Sequence, residues 1–289
     1  MNPWPDELVE DIARRRAVLY VGAGVSASAS SDDGRRPPDW KTFLREANRK
    51  LRRRVPSETV KALIAEQDLL TACELLKHAL DESWPEVLKE QFSAPGYKAG
   101  ALHKALHDLD LPLVLTPNFD TVYDRFAQSE TDGATVVKYY WDTDIPLVMR
   151  RKYRAILKVH GTIDEPSKMV FSRGDYARLR VEHRQFFELV GALFLTHTFV
   201  FIGTSLTDPD LRLFLESYHY SHPQSPPHYM TSPRGEVHLH TDDSIRKNMN
   251  LKLIRYSPDG GHRELPALIN DLVFLVNQKR AQMAATESW

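Results

Sequence analysis

From residue 17 to residue 21 the chain reads Ala-Val-Leu-Tyr-Val, an unbroken apolar run that stops at Gly22. A strand with one wet face would alternate apolar and polar positions, so an uninterrupted short run ending in glycine predicts a strand buried on both faces. Residues 6–16 before it have helix-forming composition, and the chain from Ser26 to about Pro38 is small and polar. "PPDWKTFLREANRKLRRR" then predicts a helix with Asp39 as its N-cap. From there to about residue 109 the pattern is helical, with breaks expected at Pro56, Pro85 and "SAPGY".

Three further apolar runs lead into polar turns. They are "LPLVLTPNFD", "RAILKVHGTID" and "HTFVFIGTSLTDPDLRLFLESYHY", the last passing into a helix that starts near Asp208 and Pro209. "GEVHLH" and "LKLIRY" read as later strands, residues 221–235 ("SHPQSPPHYMTSPRG") as a long loop, and "ELPALINDLVFLVNQKRAQM" as a closing amphipathic helix. Short apolar strands alternating with helices predict an α/β fold: a Rossmann-like, doubly wound parallel sheet. The pattern makes it a single domain, with a core over about 8–38 and 110–275 and a helical insertion over about 39–109.

A chain of 289 residues is long enough for one catalytic-size core. Lys and Arg total 38 against 39 Asp and Glu, a formal charge of −1, so no global field draws it to nucleic acid or an anionic membrane. The single cysteine, Cys73, excludes an intramolecular disulfide and a zinc ribbon, and fits a reducing cytoplasm. "LVGALFLTHTFVFIG" is interrupted by Thr196, His197 and Thr198, too polar to span a bilayer, and "MNPWPDELVEDIARRR" lacks an apolar signal core.

In a doubly wound sheet, ligands bind beyond the carboxyl ends of the strands. Four polar strand ends are therefore the places to look: Gly22-Ala23-Gly24-Val25-Ser26, Thr116-Pro117-Asn118-Phe119-Asp120, His160-Gly161-Thr162-Ile163-Asp164 and Gly203-Thr204-Ser205-Leu206-Thr207-Asp208. Taken alone "GAGVSAS" is a weak dinucleotide signature, because the third glycine of the usual fingerprint is missing. Other tempting features have plainer readings. His103 and His107 have metal-pair spacing but no third ligand, so a helix face explains them better; "RKLRRR" at 49–54 reads as a solvated helix face, and "YYWDTD" at 139–144 as core or lid.

"GAGVSAS" followed by "PPDW", "TPNFD", "KVHGTID" and "FIGTSLTDPDL", in that order, resembles the sirtuin fold family, and more closely the bacterial sirtuin-like domains of antiphage defence that hydrolyse NAD. The resemblance runs from about Leu8 to the closing helix. It implies NAD+ as substrate, with Gly22, Ala23, Gly24 and Ser26 at its phosphates. Thr116, Asn118 and Asp120 would lie around the nicotinamide ribose and carboxamide, His160 would be the catalytic base, and Gly203, Thr204 and Ser205 would face the adenosine side. No metal is implied, and the zinc module of the protein-deacylating members has no counterpart here.

The reaction expected from the resemblance is cleavage of NAD+ to ADP-ribose and nicotinamide. Asp120 would hold the carboxamide, Asn118 would orient a water or a ribose hydroxyl, and His160 would take the proton. A capping or core histidine is the alternative for His160, and an N-cap is the expected role of Asp208. Pro117 stands where the defence domains usually carry threonine, removing a backbone donor beside the site. The resemblance further implies a homo-oligomer and a controlling partner, such as a HerA-type translocase or a short Argonaute, with nucleic acid met only indirectly. The competing readings are a module that binds NAD or ADP-ribose without hydrolysing it, and a zinc-free deacylase.

Overall fold

The computed structural model describes residues 3–51, 54–150, 153–206, 209–236 and 239–286. Seven strands form one sheet in the order β3-β4-β2-β1-β5-β6-β7. They are β1 (Ala17–Val21), β2 (Leu113–Thr116), β3 (Thr135–Tyr139), β4 (Arg154–Lys158), β5 (Thr198–Ile202), β6 (His228–Pro233) and β7 (Leu251–Tyr256). Every neighbouring pair is parallel. This is the doubly wound α/β sheet that the apolar runs predicted.

The burial of β1 and β5 explains why their sequences do not alternate. Ala17, Leu19 and Val21, with Val200 and Ile202, pack against one face, under the helices Asp6–Ala13, Ala101–Asp108, Val122–Glu130 and Glu264–Thr286. Val18 and Tyr20, with Phe199 and Phe201, pack against the other, under Ile145–Met149, Arg184–Thr196, Pro209–Ser221 and Leu239–Met249. Side chains point to opposite faces along a strand, and here both faces are dry.

A helical layer sits at one end of the sheet. Phe43, Leu44, Val60, Leu76, Trp84 and Leu88 share a core with Ile163, Met169 and Phe171 from the segment after β4. Asp39 caps its first helix, Trp40–Arg49, by accepting from Thr42 N at 2.6 Å, worth about 1 kcal/mol. Pro56 and Pro85, expected as breaks, instead lie in the first turns of the helices Arg54–Ala65 and Trp84–Phe92. There the amide that proline lacks has no intrahelical partner to lose. The helix Ala101–Asp108 packs against the closing helix on the sheet, not within this layer.

Two expectations are corrected beyond residue 220. Residues 221–235 are not one long loop, because β6 runs through them and pairs with both β5 and β7. Of "GEVHLH", Val237 and His238 lie outside the described residues, and the rest forms no strand: Gly235, with φ +89°, turns the chain and a helix begins at Leu239. The prolines at either end of β6 hid a strand whose central residues, Tyr229 to Ser232, are buried. β3, at the sheet edge and only half-buried, carried too weak a pattern to be read. Among the described residues, no helix is long and apolar enough to cross a membrane.

Candidate active site

β1 lies at the centre of the strand order, with β2 on one side and β5 on the other. Chains leaving β1 and β5 diverge there, and the crevice between them is where this fold admits ligands. A cleft, open at its mouth, occupies that position. Its floor and polar side consist of Gly22, Ala23, Ser26, Asn118, Asp120, His160, Thr204 and Ser205; its apolar side includes Pro37, Pro38, Trp40, Phe92, Phe119 and Phe171.

The glycines have a structural task first. Gly22 and Gly24 donate to Ile202 O and Gly203 O at 2.9 and 2.8 Å, which zips the two strand-end loops together. A Cβ on Gly24 would sit 2.9 Å from Gly203 Cα, and one on Gly203, whose φ is +64°, would sit 2.6 Å from Val25 N. Only glycine permits this approach. Gly24, Gly203 and Thr116 therefore shape the cleft from behind, and none of the three lines it.

Thr116 donates to Val21 O at 2.7 Å and accepts from Asn118 N at 3.1 Å, tying β2 to β1 and starting the turn that carries Asn118. Asn118 Nδ2 donates to Gly22 O at 2.9 Å and to Ser26 Oγ at 3.0 Å. Ser26 Oγ in turn donates to Asp120 Oδ2 at 2.5 Å, and Asp120 Oδ1 accepts from Val122 N at 3.0 Å, capping the helix that follows. With both amide hydrogens committed, the oxygen Oδ1 is what Asn118 retains for a ligand. Ser26, expected at phosphates, spends its hydroxyl bridging Asn118 and Asp120. Pro117 lines the cleft and supplies no N–H there.

His160 follows β4, and its ring meets Tyr176 edge-to-face with centroids 5.0 Å apart. Among the described residues neither of its ring nitrogens takes a hydrogen bond, so the imidazole on the cleft wall is held by packing and keeps its proton-accepting atom. Two other polar atoms beside the cleft, Trp40 Nε1 and Thr204 Oγ1, are buried without partners among the described residues. Buried donors are normally satisfied, so both are candidate ligand contacts.

Sequence reasoning missed the apolar wall. Trp40 stacks on Phe171 at 5.5 Å and Phe119 meets Phe171 edge-on at 4.8 Å. Trp40 comes from the helical layer, Phe119 from the turn after β2 and Phe171 from the segment after β4, far apart in sequence. Trp40 in "PPDW" and Phe119 in "TPNFD" belong to motifs of the resemblance, but nothing in their spacing marks them as one wall.

Other singled-out features lie away from the cleft lining. His103 caps its helix by accepting from Gly100 N at 3.2 Å, while His107 meets Phe126 edge-on. Within 49–54, Arg49 pairs with Glu46 and Lys50 with Glu90, while Arg52 and Arg53 lie outside the described residues. Tyr139 stacks on Trp141, centroids 4.7 Å apart, outside the cleft. Asp208 lies outside the described residues. Among the described residues, no group of three or more His, Cys, Asp or Glu side chains is placed to hold a metal ion.

The parallel sheet and the cleft at its switch point define a Rossmann-type α/β domain. Comparison of the sequence with protein families matches the SIR2-like domain over residues 112–254, from the start of β2 into β7. This part of the chain, just under half of it, is similar to the SIR2-like domain. It is similar to proteins named NAD(+) hydrolase ThsA from Cytobacillus dafuensis (26% identity over 213 residues, 72% of this chain and 39% of that protein) and Enterococcus faecium (26% over 211 residues, 71% and 40%). A third, from Bacillus cereus strain MSX-D12, is 22% identical over 225 residues, covering 74% of this chain and 43% of that protein. The chain spans about two fifths of the length of these relatives.

Proposed function

We propose that this chain hydrolyses NAD+ to ADP-ribose and nicotinamide. The observation that carries the reading is the convergence of Asn118, Asp120 and His160, from two strand ends, on one cleft at the switch point. The names of its relatives, NAD(+) hydrolases, support the substrate.

Nicotinamide leaves as a neutral molecule and needs no protonation, so the transition state is a ribose cation at C1′. What the protein must supply is a fixed nucleophile and negative charge near the developing positive one. Asp120, held on both oxygens by Ser26 and Val122, has lone pairs left for the carboxamide N–H. Asn118 Oδ1 accepts a hydrogen of the attacking water. His160 takes the other proton as the water oxygen bonds to C1′ and the electrons of the C1′–N bond depart with nicotinamide. The aromatic wall of Trp40, Phe119 and Phe171 keeps bulk water off the reacting face.

In this reading the activity serves antiphage defence by NAD depletion, in a homo-oligomer controlled by a partner such as a HerA-type translocase or a short Argonaute. Nicotinamide release from NAD+, followed by chromatography with and without such partners, tests it. Replacing His160 or Asn118 with alanine lowers the rate by about 10²-fold or more if they act as base and water-orienting group. Release at the parental rate from both variants overturns the assignment.

A further inference from the structure

Lys158, the last residue of β4, is fully buried and does not line the cleft. Its ammonium donates to the main-chain carbonyl of Asp120 at 2.6 Å and to Asp124 Oδ2 at 2.7 Å. Asp124, itself buried, lies in the first turn of the helix Val122–Glu130, while Asp120 belongs to the turn that precedes it. One cation thus clamps both sides of the junction between the turn and its helix.

An apolar residue would fill this place at lower electrostatic cost, since burying an ammonium is unfavourable unless it is paired and hydrogen-bonded. Neutralising Asp124 does not require the second bond. That bond supplies the turn with an anchor that regular secondary structure does not provide. Asn118 N is held by the Thr116 hydroxyl, Phe119 O by Ile163 N, and Val122 N by the Asp120 carboxylate. The Asp120 carbonyl is held by Lys158.

We infer that Lys158 is a positioning residue: through the main-chain carbonyl of Asp120 it sets where the Asp120 carboxylate and the Asn118 amide meet the substrate. The turnover readout rests on the hydrolase reading above. The backbone readout does not.

The test is the double variant Lys158→Met/Asp124→Leu, which removes the charged pair together and fills its space with apolar groups, a change that folds tolerate. Hydrogen exchange of the amides at 118–122, thermal melting, and the kcat and KM for NAD+ are compared with the parent. The expected result is cooperative melting as in the parent, exchange at 118–122 at least about tenfold faster, and kcat down by about tenfold or more with KM changed by less than about threefold. Parental exchange and parental kcat would show that Lys158 serves only the charge of Asp124 and overturn the inference. A second variant, Asp124→Asn, leaves Lys158 to donate to Asp120 and keeps kcat and exchange near parental values. Losses equal to those of the double variant would also overturn it. A parent that releases no nicotinamide removes the hydrolase reading, and exchange at 118–122 still decides the role of Lys158.

Discussion

Acid should weaken this fold through a histidine far from the cleft. His228, the first residue of β6, is buried among Phe194, Phe199 and Tyr218. Its Nδ1 accepts the amide hydrogen of Phe199 at 3.1 Å, so the neutral tautomer is required there, and Nε2 has no partner among the described residues. A proton on Nδ1 would face the Phe199 N–H, and burial pushes the imidazole down from 6.5 to about 4. The unfolded chain therefore binds this proton more readily than the folded one. Its contribution is fully present above about pH 6.5 and is lost as pH falls towards 4. The total is about 3 kcal/mol, at a slope of up to about 1.4 kcal/mol per pH unit. His103, buried on the inner side of the helix Ala101–Asp108 to which it belongs, is lowered to about 4 by the same cause, with the charge of Asp120 opposing, and steepens the loss. Against a typical stability of about 5–15 kcal/mol, this moves the unfolding midpoint visibly. Urea unfolding between pH 7 and pH 4 measures it. His228→Gln, which keeps an acceptor for Phe199 N but cannot titrate, should flatten the dependence by about one proton's worth. An identical slope in parent and variant would refute the argument.

Two further outcomes follow from packing. Gly203→Ala should cost about 2–4 kcal/mol, because its φ of +64° is strained for alanine and the new methyl meets Val25 N. A urea midpoint within about 0.5 kcal/mol of the parent would contradict the close approach of the two loops. Cys73 is buried in the helical layer, and burial pushes its thiol well above the usual range. Alkylation should therefore track unfolding of that layer, and rapid labelling of the native protein would place the cysteine elsewhere.

Much of the architecture was legible because both faces of this sheet are dry. Runs such as Ala17–Val21 and Thr198–Ile202 could be read as buried strands from composition alone, and so the strand ends could be read as the place for chemistry. β6 escaped because burial between two neighbours, and not its own residues, makes it a strand. The order of the strands was not readable either: parallel neighbours are chosen by crossover packing, which leaves no local mark.

The site divides along the same line. Sequence alone determined the residues Gly22, Asn118, Asp120 and His160 and their order along the chain, because each ends an apolar run. Tertiary structure decided their partners. It bound Ser26 between Asn118 and Asp120, turned Gly24 and Gly203 into a contact between loops, raised an aromatic wall from Trp40, Phe119 and Phe171, and set Lys158 beneath the turn. Periodicity records which side of an element is buried, whereas hydrogen bonds spanning some 90 residues depend on where the folded chain brings the two ends together.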